Sequence, residues 1–179
     1  NNFSSAHITF CSYDECKTLE NKNFLTRIGE QFHWKNANYH NFNDFLNSLN
    51  SRKRKAISKE RNYIQNKNIK IIHKSGKDIT HEDWDSMYDF YQNTTDKKWG
   101  KAYLNKEFFN LLAKNFSEKI LIIFAQENNT HIAGAMHIIG KKTLFGRYWG
   151  AYTHIKYLHF ELCYYQAIDW AIKNKYSFV

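Results

Sequence analysis

The strongest constraint in this sequence is an unbroken apolar run, Ile120 to Ala125, reading ILIIFA. A strand without alternation has no face to give to water, so the run predicts a strand covered on both sides. The residues after it keep the β period. Asn128-Asn129 marks a turn, His131 to Ile139 a second strand, Gly140-Lys141-Lys142 another turn, and Thr143 to Trp149 a third strand. Together they predict a three-stranded antiparallel meander. Leu158 to Asn174 then reads as a helix with Phe160, Tyr164, Ala167, Ile168 and Ala171 on its packing face, the alanines allowing close approach to a sheet. Tyr176 to Val179 opens a further strand at the end of the chain.

Upstream, the chain has no proline, so element ends are read from Gly, Asn and changes of period. Ser5 to Cys11 alternates and predicts a strand, Asp14 to Asn21 a short helix, and Phe24 to Ile28 a second strand running into the loop Gln31-Phe32-His33-Trp34. Phe42 to Asn66 predicts one long amphipathic helix with Phe42, Phe45, Leu46, Leu49, Ala56, Ile57 and Ile64 on its stripe. Ile69 to His73 predicts a short strand. Thr80-His81-Glu82-Asp83 resembles a capping box that opens a helix carrying Trp84, Met87, Tyr88 and Tyr91, and Asn105 is the candidate N-cap of a helix from Lys106 to Phe116. A sheet cut at both ends is the pattern of a fragment.

Charge is concentrated in one place. Arg52 to Lys74 holds nine Lys or Arg against Glu60 alone, so this stretch carries +8 of the chain's net +9. A localised basic patch predicts a polyanionic partner, whether RNA, a nucleotide or pyrophosphate-bearing substrate, or an anionic membrane surface; the plain alternative is a solvated helix face. At 100° per residue, Arg54, Lys55, Lys59 and Arg61 point away from the apolar stripe, whereas Lys53 and Glu60 fall on it. An inward charge needs either an ion-pair partner or a polar contact in a substrate cleft.

Other classes are disfavoured. With 42% hydrophobic and 17% aromatic residues the chain should build a core rather than stay disordered. Cys11, Cys16 and Cys163 form no CxxC pair and would leave an odd thiol, which argues against a disulfide framework and for a reducing, cytoplasmic setting. No stretch approaches the roughly 18 apolar residues of a membrane span. No Walker A loop, GxGxxG, GxSxG or HExxH is present, and His7, Cys11, Cys16 and His33 match no standard metal spacing, so no metal is expected.

Longer motifs carry a resemblance. Gly146-Arg147-Tyr148-Trp149-Gly150, followed by Leu158-His159-Phe160-Glu161-Leu162-Cys163-Tyr164-Tyr165-Gln166-Ala167-Ile168, is similar to the FemAB-like N-acyltransferases of peptidoglycan biosynthesis in the GNAT superfamily. Gln31-Phe32-His33-Trp34, Ser51-Arg52-Lys53-Arg54-Lys55 with Glu60-Arg61, Lys98-Trp99-Gly100 and Ala133-Gly134-Ala135 agree with it, so the likeness spans essentially the whole chain. It implies an α/β GNAT-like fold (acyl-CoA N-acyltransferase fold), a mixed, mostly antiparallel sheet with flanking helices, truncated at both ends. It further implies tandem halves, with residues 1–40 ending a preceding half and 41–179 forming a second half that lacks its C-terminal part. In the family the chain continues past the strand at Val179 into a Gly- and His-containing segment.

The activity implied is transfer of an activated acyl or aminoacyl group to an amine, of a peptidoglycan precursor or a similar acceptor. The donor in Fem relatives is aminoacyl-tRNA. Acyl-CoA-dependent GNATs carry Q/R-x-x-G-x-G/A before the post-meander helix, and Gly150 to Tyr157 lacks it, so no cofactor is fixed between aminoacyl-tRNA and acyl-CoA. Within that frame Glu161 and His159 are the candidate bases, each with a structural alternative in capping or dipole stabilisation at the helix start. Tyr164 and Tyr148 are candidate hydrogen-bond donors to a leaving group or oxyanion. Arg147, alternating with Phe145 and Trp149, is a candidate anion clamp or else a stacked structural Arg. Tyr148, Trp149, Gln31, His33, Trp34 and Lys53 are candidate substrate contacts, the loop Gln31 to Trp34 having the plain alternative of packing on its neighbour, and Arg54, Lys55, Lys59 and Arg61 are candidate contacts to RNA or pyrophosphate. Two other readings stay open: a catalytically silent nucleic-acid or wall-precursor binding module on the same scaffold, and an acyl-CoA-dependent enzyme.

Overall fold

The apolar run forms β2 (Ile120–Glu127), and Ile120 to Ala125 are at most 1% exposed. In the computed structural model, which describes residues 4–97 and 102–179, this strand pairs antiparallel with β1 (Lys70–Ser75) on one edge and with β3 (Thr130–Ile139) on the other. Asn128 and Asn129, at φ 50° and 62°, make the left-handed turn between β2 and β3. Next comes β4 (Leu144–Ala151), giving an antiparallel sheet of order β1-β2-β3-β4. This is an α/β arrangement with four antiparallel strands, one more than the predicted meander. Phe178 bridges antiparallel to Lys35 and parallel to Thr143, so the chain end adds a bridge beside the start of β4 rather than a full strand.

Both faces of β2 are covered, as its sequence requires. Ile120, Ile122 and Phe124 meet Trp84, Met87, Phe90 and Phe109 from α4 (His81–Asp96) and α5 (Lys106–Phe116). Leu121, Ile123 and Ala125 meet Ile64 of α3 (Ser51–Gln65) together with Leu158, Leu162 and Ala167 of the last helix. Each fully buried aliphatic or Phe side chain contributes about 1.5–3 kcal/mol. Glycine lets α4 come closest: a Cβ on Gly150 would stand 1.9 Å from the Phe90 carbonyl oxygen, and one on Gly134 would stand 3.0 Å from the Phe90 ring.

The caps follow the sequence. Asn105 accepts from the Phe108 amide at 3.1 Å, and Thr80 and Asp83 form the expected capping box. Asp83 does more than cap. Only 2% exposed, it meets Lys74 of β1 at 2.6 Å and His131 of β3 at 2.8 Å, pinning the start of α4 to the sheet. Burial opposes its charge, but the hydrogen bonds from Lys74, the Thr80 amide and His131 outweigh that and lower its pKa.

Four further predicted elements need correction. The single helix from Phe42 to Asn66 is two, α2 (Phe42–Ser48) and α3, because Leu49 turns extended and the Asn50 side chain accepts the Lys53 amide at 2.9 Å to start a new helix. The strands at Ser5–Cys11 and Phe24–Ile28 do not form. Those residues belong to a separate unit, Asn1–Phe32, where the described backbone offers them no pairing strand and its regular element is α1 (Tyr13–Glu20). The second unit is His33–Val179.

The last correction is the helix after the meander. It begins as α6 (Leu158–Phe160), widens into a π-helical turn (Glu161–Tyr165) and continues as α7 (Gln166–Lys173). Its buried stripe holds Leu158, Glu161, Leu162, Tyr165, Ile168 and Ile172, while Phe160 and Tyr164, assigned to that stripe by pattern, are about half exposed at 49% and 48%. Pattern matching avoids a carboxylate. The fold accepts one because Arg61 meets it.

One buried titrating group sets an acid limit on stability. His137 of β3 is 1% exposed, its Nδ1 has no partner, and burial pushes its pKa from 6.5 down to about 4. The unfolded chain binds this proton near pH 6.5 and the folded chain resists it to about pH 4, so the stability is present above the first value and lost toward the second. The loss is on the order of 3 kcal/mol, taking 1.36 kcal/mol per pKa unit. Asp83, whose pKa is lowered, adds a further loss at still lower pH. Urea melts of wild type and His137→Leu should show the variant's stability changing less between pH 6.5 and 4; parallel pH profiles would contradict this account.

Candidate active site

The site grows out of the end of β4. Residues 152–157 leave the sheet without regular structure, and Tyr157 takes a left-handed φ of 68° before the helix starts. That conformation costs a non-glycine residue about 1–2 kcal/mol. It is held from two sides: the Glu161 amide donates to the Tyr157 carbonyl at 2.9 Å, and the Tyr157 ring meets Tyr63 of α3 edge-on at 5.5 Å.

A cleft of about 660 Å³ opens there. Trp149, Thr153, His154, Tyr157 and His159 line it, with Thr94 and Lys97 from the end of α4. His159 stands edge-on to Trp149 at 5.1 Å and to Tyr164 at 5.7 Å. An imidazole thus sits among aromatic rings in a cleft that Thr94, Thr153 and Lys97 also line, a combination suited to moving a proton beside a polarised carbonyl.

A second groove, of about 820 Å³, runs along α3 and shares Tyr157 with the cleft. Its cations are Arg54, Lys55 and Lys59 of α3 and Lys156 of the connecting segment. Arg54 also donates to the Asn47 and Leu49 carbonyls at 3.5 and 3.4 Å, closing the end of α2. The groove is cationic because Glu60, the only acid among α3's charges, is engaged elsewhere: it accepts a hydrogen bond from Tyr165.

Beside the cleft, a polar chain runs from a buried carboxylate out to the surface. Glu161 Oε1 receives Arg61 at 3.2 Å and Gln166 at 2.7 Å, and the Gln166 carbonyl oxygen pairs with His73 at 2.9 Å. The Arg61 guanidinium also lies over the Phe42 ring at 4.2 Å. Glu161 Oε2 is buried without a hydrogen-bond partner. Arg61 therefore faces inward, correcting the outward contact expected of it. Glu161 is 2% exposed and does not line the cleft.

The other candidates are dispersed. Arg147 is the extra residue of a β-bulge: His137 pairs with Gly146 and Met136 with Tyr148. The bulge breaks the alternation, so Phe145, paired with Ile138, and Trp149, packed with Leu158, lie on opposite faces. Arg147 is exposed over the Tyr148 ring at 5.2 Å, and burial of the Tyr148 hydroxyl, 3.3 Å from that of Tyr103, pushes its pKa up to about 12. Lys53 is exposed, contrary to its expected place on the stripe, and so is His33. Trp34 packs on Phe45 at 5.9 Å, and its backbone pairs with Val179. Gln31 is an exposed residue of the first unit. The Lys98-Trp99-Gly100 motif lies outside the described residues.

Sequence reasoning brought together Trp149 and His159 in the cleft and Arg54, Lys55 and Lys59 in the groove. It missed Lys156, Tyr157, Tyr63, Gln166 and His73. The usable signal was a basic and aromatic pair, Lys156-Tyr157, standing directly before a helix where a glycine-rich segment was sought.

Comparison with known proteins defines the class. The whole chain, residues 1–179, matches the FemAB-like family described as peptidoglycan biosynthesis/recognition, and the chain belongs to that family. A solved structure with a similar fold is a conserved protein of unknown function from Bacteroides thetaiotaomicron VPI-5482, at 15% identity and a TM-score of 0.52. The match covers 93% of this chain and 56% of that one, so the chain spans little more than half of its structural neighbour. No curated protein matches the sequence. Among the described residues, no helix is long and apolar enough to cross a membrane.

Proposed function

We propose that the chain carries an N-acyl- or aminoacyltransferase site of GNAT type, acting on an amine of a peptidoglycan precursor in the cytoplasm. The observation that supports it best is that the cleft and the cationic groove share Tyr157, so a reacting group and an anionic portion of the same or a second substrate are held side by side. His159 takes the proton from the acceptor ammonium, the free amine attacks the acyl carbonyl, and the leaving alcohol or thiol recovers a proton as the tetrahedral adduct collapses. Thr94, Thr153 and Lys97 offer donors for the oxyanion. Arg54, Lys55, Lys59 and Lys156 hold phosphate, as tRNA or pyrophosphate, and the same cations would let the protein rest on an anionic membrane. Glu161 and Arg61 act as positioning residues that set the π turn. In this reading residues 1–40 end a preceding GNAT-like half and 41–179 form the second.

A second reading, a binding module without catalysis, draws support from Glu161, whose carboxylate is engaged by Arg61 rather than open to a substrate. The deciding experiment offers the full-length protein aminoacyl-tRNA, acyl-CoA and pyrophosphate-linked muropeptides and reads the acceptor by mass spectrometry. Transfer is expected from one donor class, with His159→Asn lowering turnover by about 10²- to 10⁴-fold while the thermal melt is unchanged. Turnover equal to wild type would remove His159 from the mechanism; salt-sensitive binding without product would establish the module.

A further inference from the structure

Two of the three cysteines sit at paired positions of one helix start. Ser12 is the N-cap of α1, and its amide and hydroxyl both reach the Glu15 carboxylate, at 2.7 and 2.8 Å, completing a capping box. Counting from that cap, Cys11 occupies the position before it and Cys16 the fourth helical position. In a capping-box helix these two positions turn toward each other, and apolar side chains there pack as a staple across the first turn. Here both are cysteine. Both are half-buried in a segment that is otherwise almost wholly exposed, and Cys11 borders a small hollow of about 490 Å³. The pair stands at the two staple positions of α1, and burial, followed by the neighbouring Cys11, raises the Cys16 pKa.

We propose that Cys11 and Cys16 are a reversible redox pair, closed to an intramolecular disulfide by a hydroperoxide and reopened by a thiol. One thiolate attacks the peroxide O–O bond, becoming a sulfenic acid and releasing an alcohol or water; the second sulfur then displaces the sulfenic oxygen as water, so two thiols lose two electrons and two protons in all. The capping box holds the two positions in place before reaction, and the bridge would lock the first turn of α1. Cys163 stands apart from this chemistry because it lies in the other unit.

No lysine or arginine separates Cys11 from Cys16, and the next is Lys17, so trypsin releases both cysteines in one peptide ending at Lys17. The full chain, treated with stoichiometric hydrogen peroxide, should yield that peptide two hydrogens lighter, refractory to iodoacetamide and restored by dithiothreitol. Ser12→Ala should slow closure several-fold, because it removes the cap that orients the pair, while Cys163→Ser should leave it unchanged. That peptide gaining oxygen without losing two hydrogens, cross-linked dimers in place of an internal bridge, or a rate indifferent to Ser12→Ala would each overturn the assignment.

Discussion

Gly150→Ala is expected to lower the melting temperature by about 6 to 12 °C, equivalent to a loss of at least about 3 kcal/mol. Alanine normally suits a strand interior better than glycine by about 0.5–1 kcal/mol, so the sign depends on the space available. None is available. The added methyl would stand 1.9 Å from the Phe90 oxygen and 2.4 Å from its carbonyl carbon, and these are backbone atoms of α4 that no rotamer change can move. Relief requires lifting α4 off β4, which uncovers Met87 and Phe90, both 0% exposed. Gly146→Ala in the same strand is the control, since its Cβ meets nothing nearer than His137 at 3.8 Å. Equal melts for both variants would mean that α4 does not rest on the sheet through Gly150.

Arg61→Ala is the second large effect, with an expected loss of about 3–5 kcal/mol. Removing the guanidinium leaves the Glu161 carboxylate 2% exposed, with Gln166 alone on Oε1 and nothing on Oε2. An uncompensated buried charge costs more than the pair contributes, so Arg61→Met combined with Glu161→Leu should be clearly more stable than Arg61→Ala alone. Arg61→Lys keeps the charge but loses the guanidinium over the Phe42 ring, and an intermediate loss is expected. A double-mutant cycle by urea melts measures this directly. Additive losses from the two single changes would show that the ion pair does not brace the π turn.

Where local chemistry decides, the sequence was informative. ILIIFA read as an interior strand and forms one, Asn105 and Thr80 were caps with identifiable partners, and the β2 to β4 meander was correct to within a residue or two at its ends. What stayed hidden depends on distant partners. Asn50 splits a helix because its side chain competes for a backbone amide, a choice that the apolar stripe running through Leu49 does not reveal. The bulge at Arg147 is set by the register of β3, so the row Phe145, Arg147, Trp149 looked like one face of a strand when it was not. The burial of Glu161 depends on Arg61, 100 residues earlier.

The FemAB-like match spans the whole chain, and the proposed site is built from two surfaces that meet at Tyr157, whose φ is left-handed. The most direct measurement is single-turnover acyl transfer by the full-length protein, followed by acceptor mass, for wild type, His159→Asn and Lys59→Ala/Lys156→Ala. If the two surfaces form one site, wild type yields acylated acceptor, the histidine variant loses the rate at saturating donor, and the lysine pair raises the donor concentration needed and flattens its salt dependence. An active wild type in which the lysine pair alters neither donor requirement nor salt dependence would contradict a shared site.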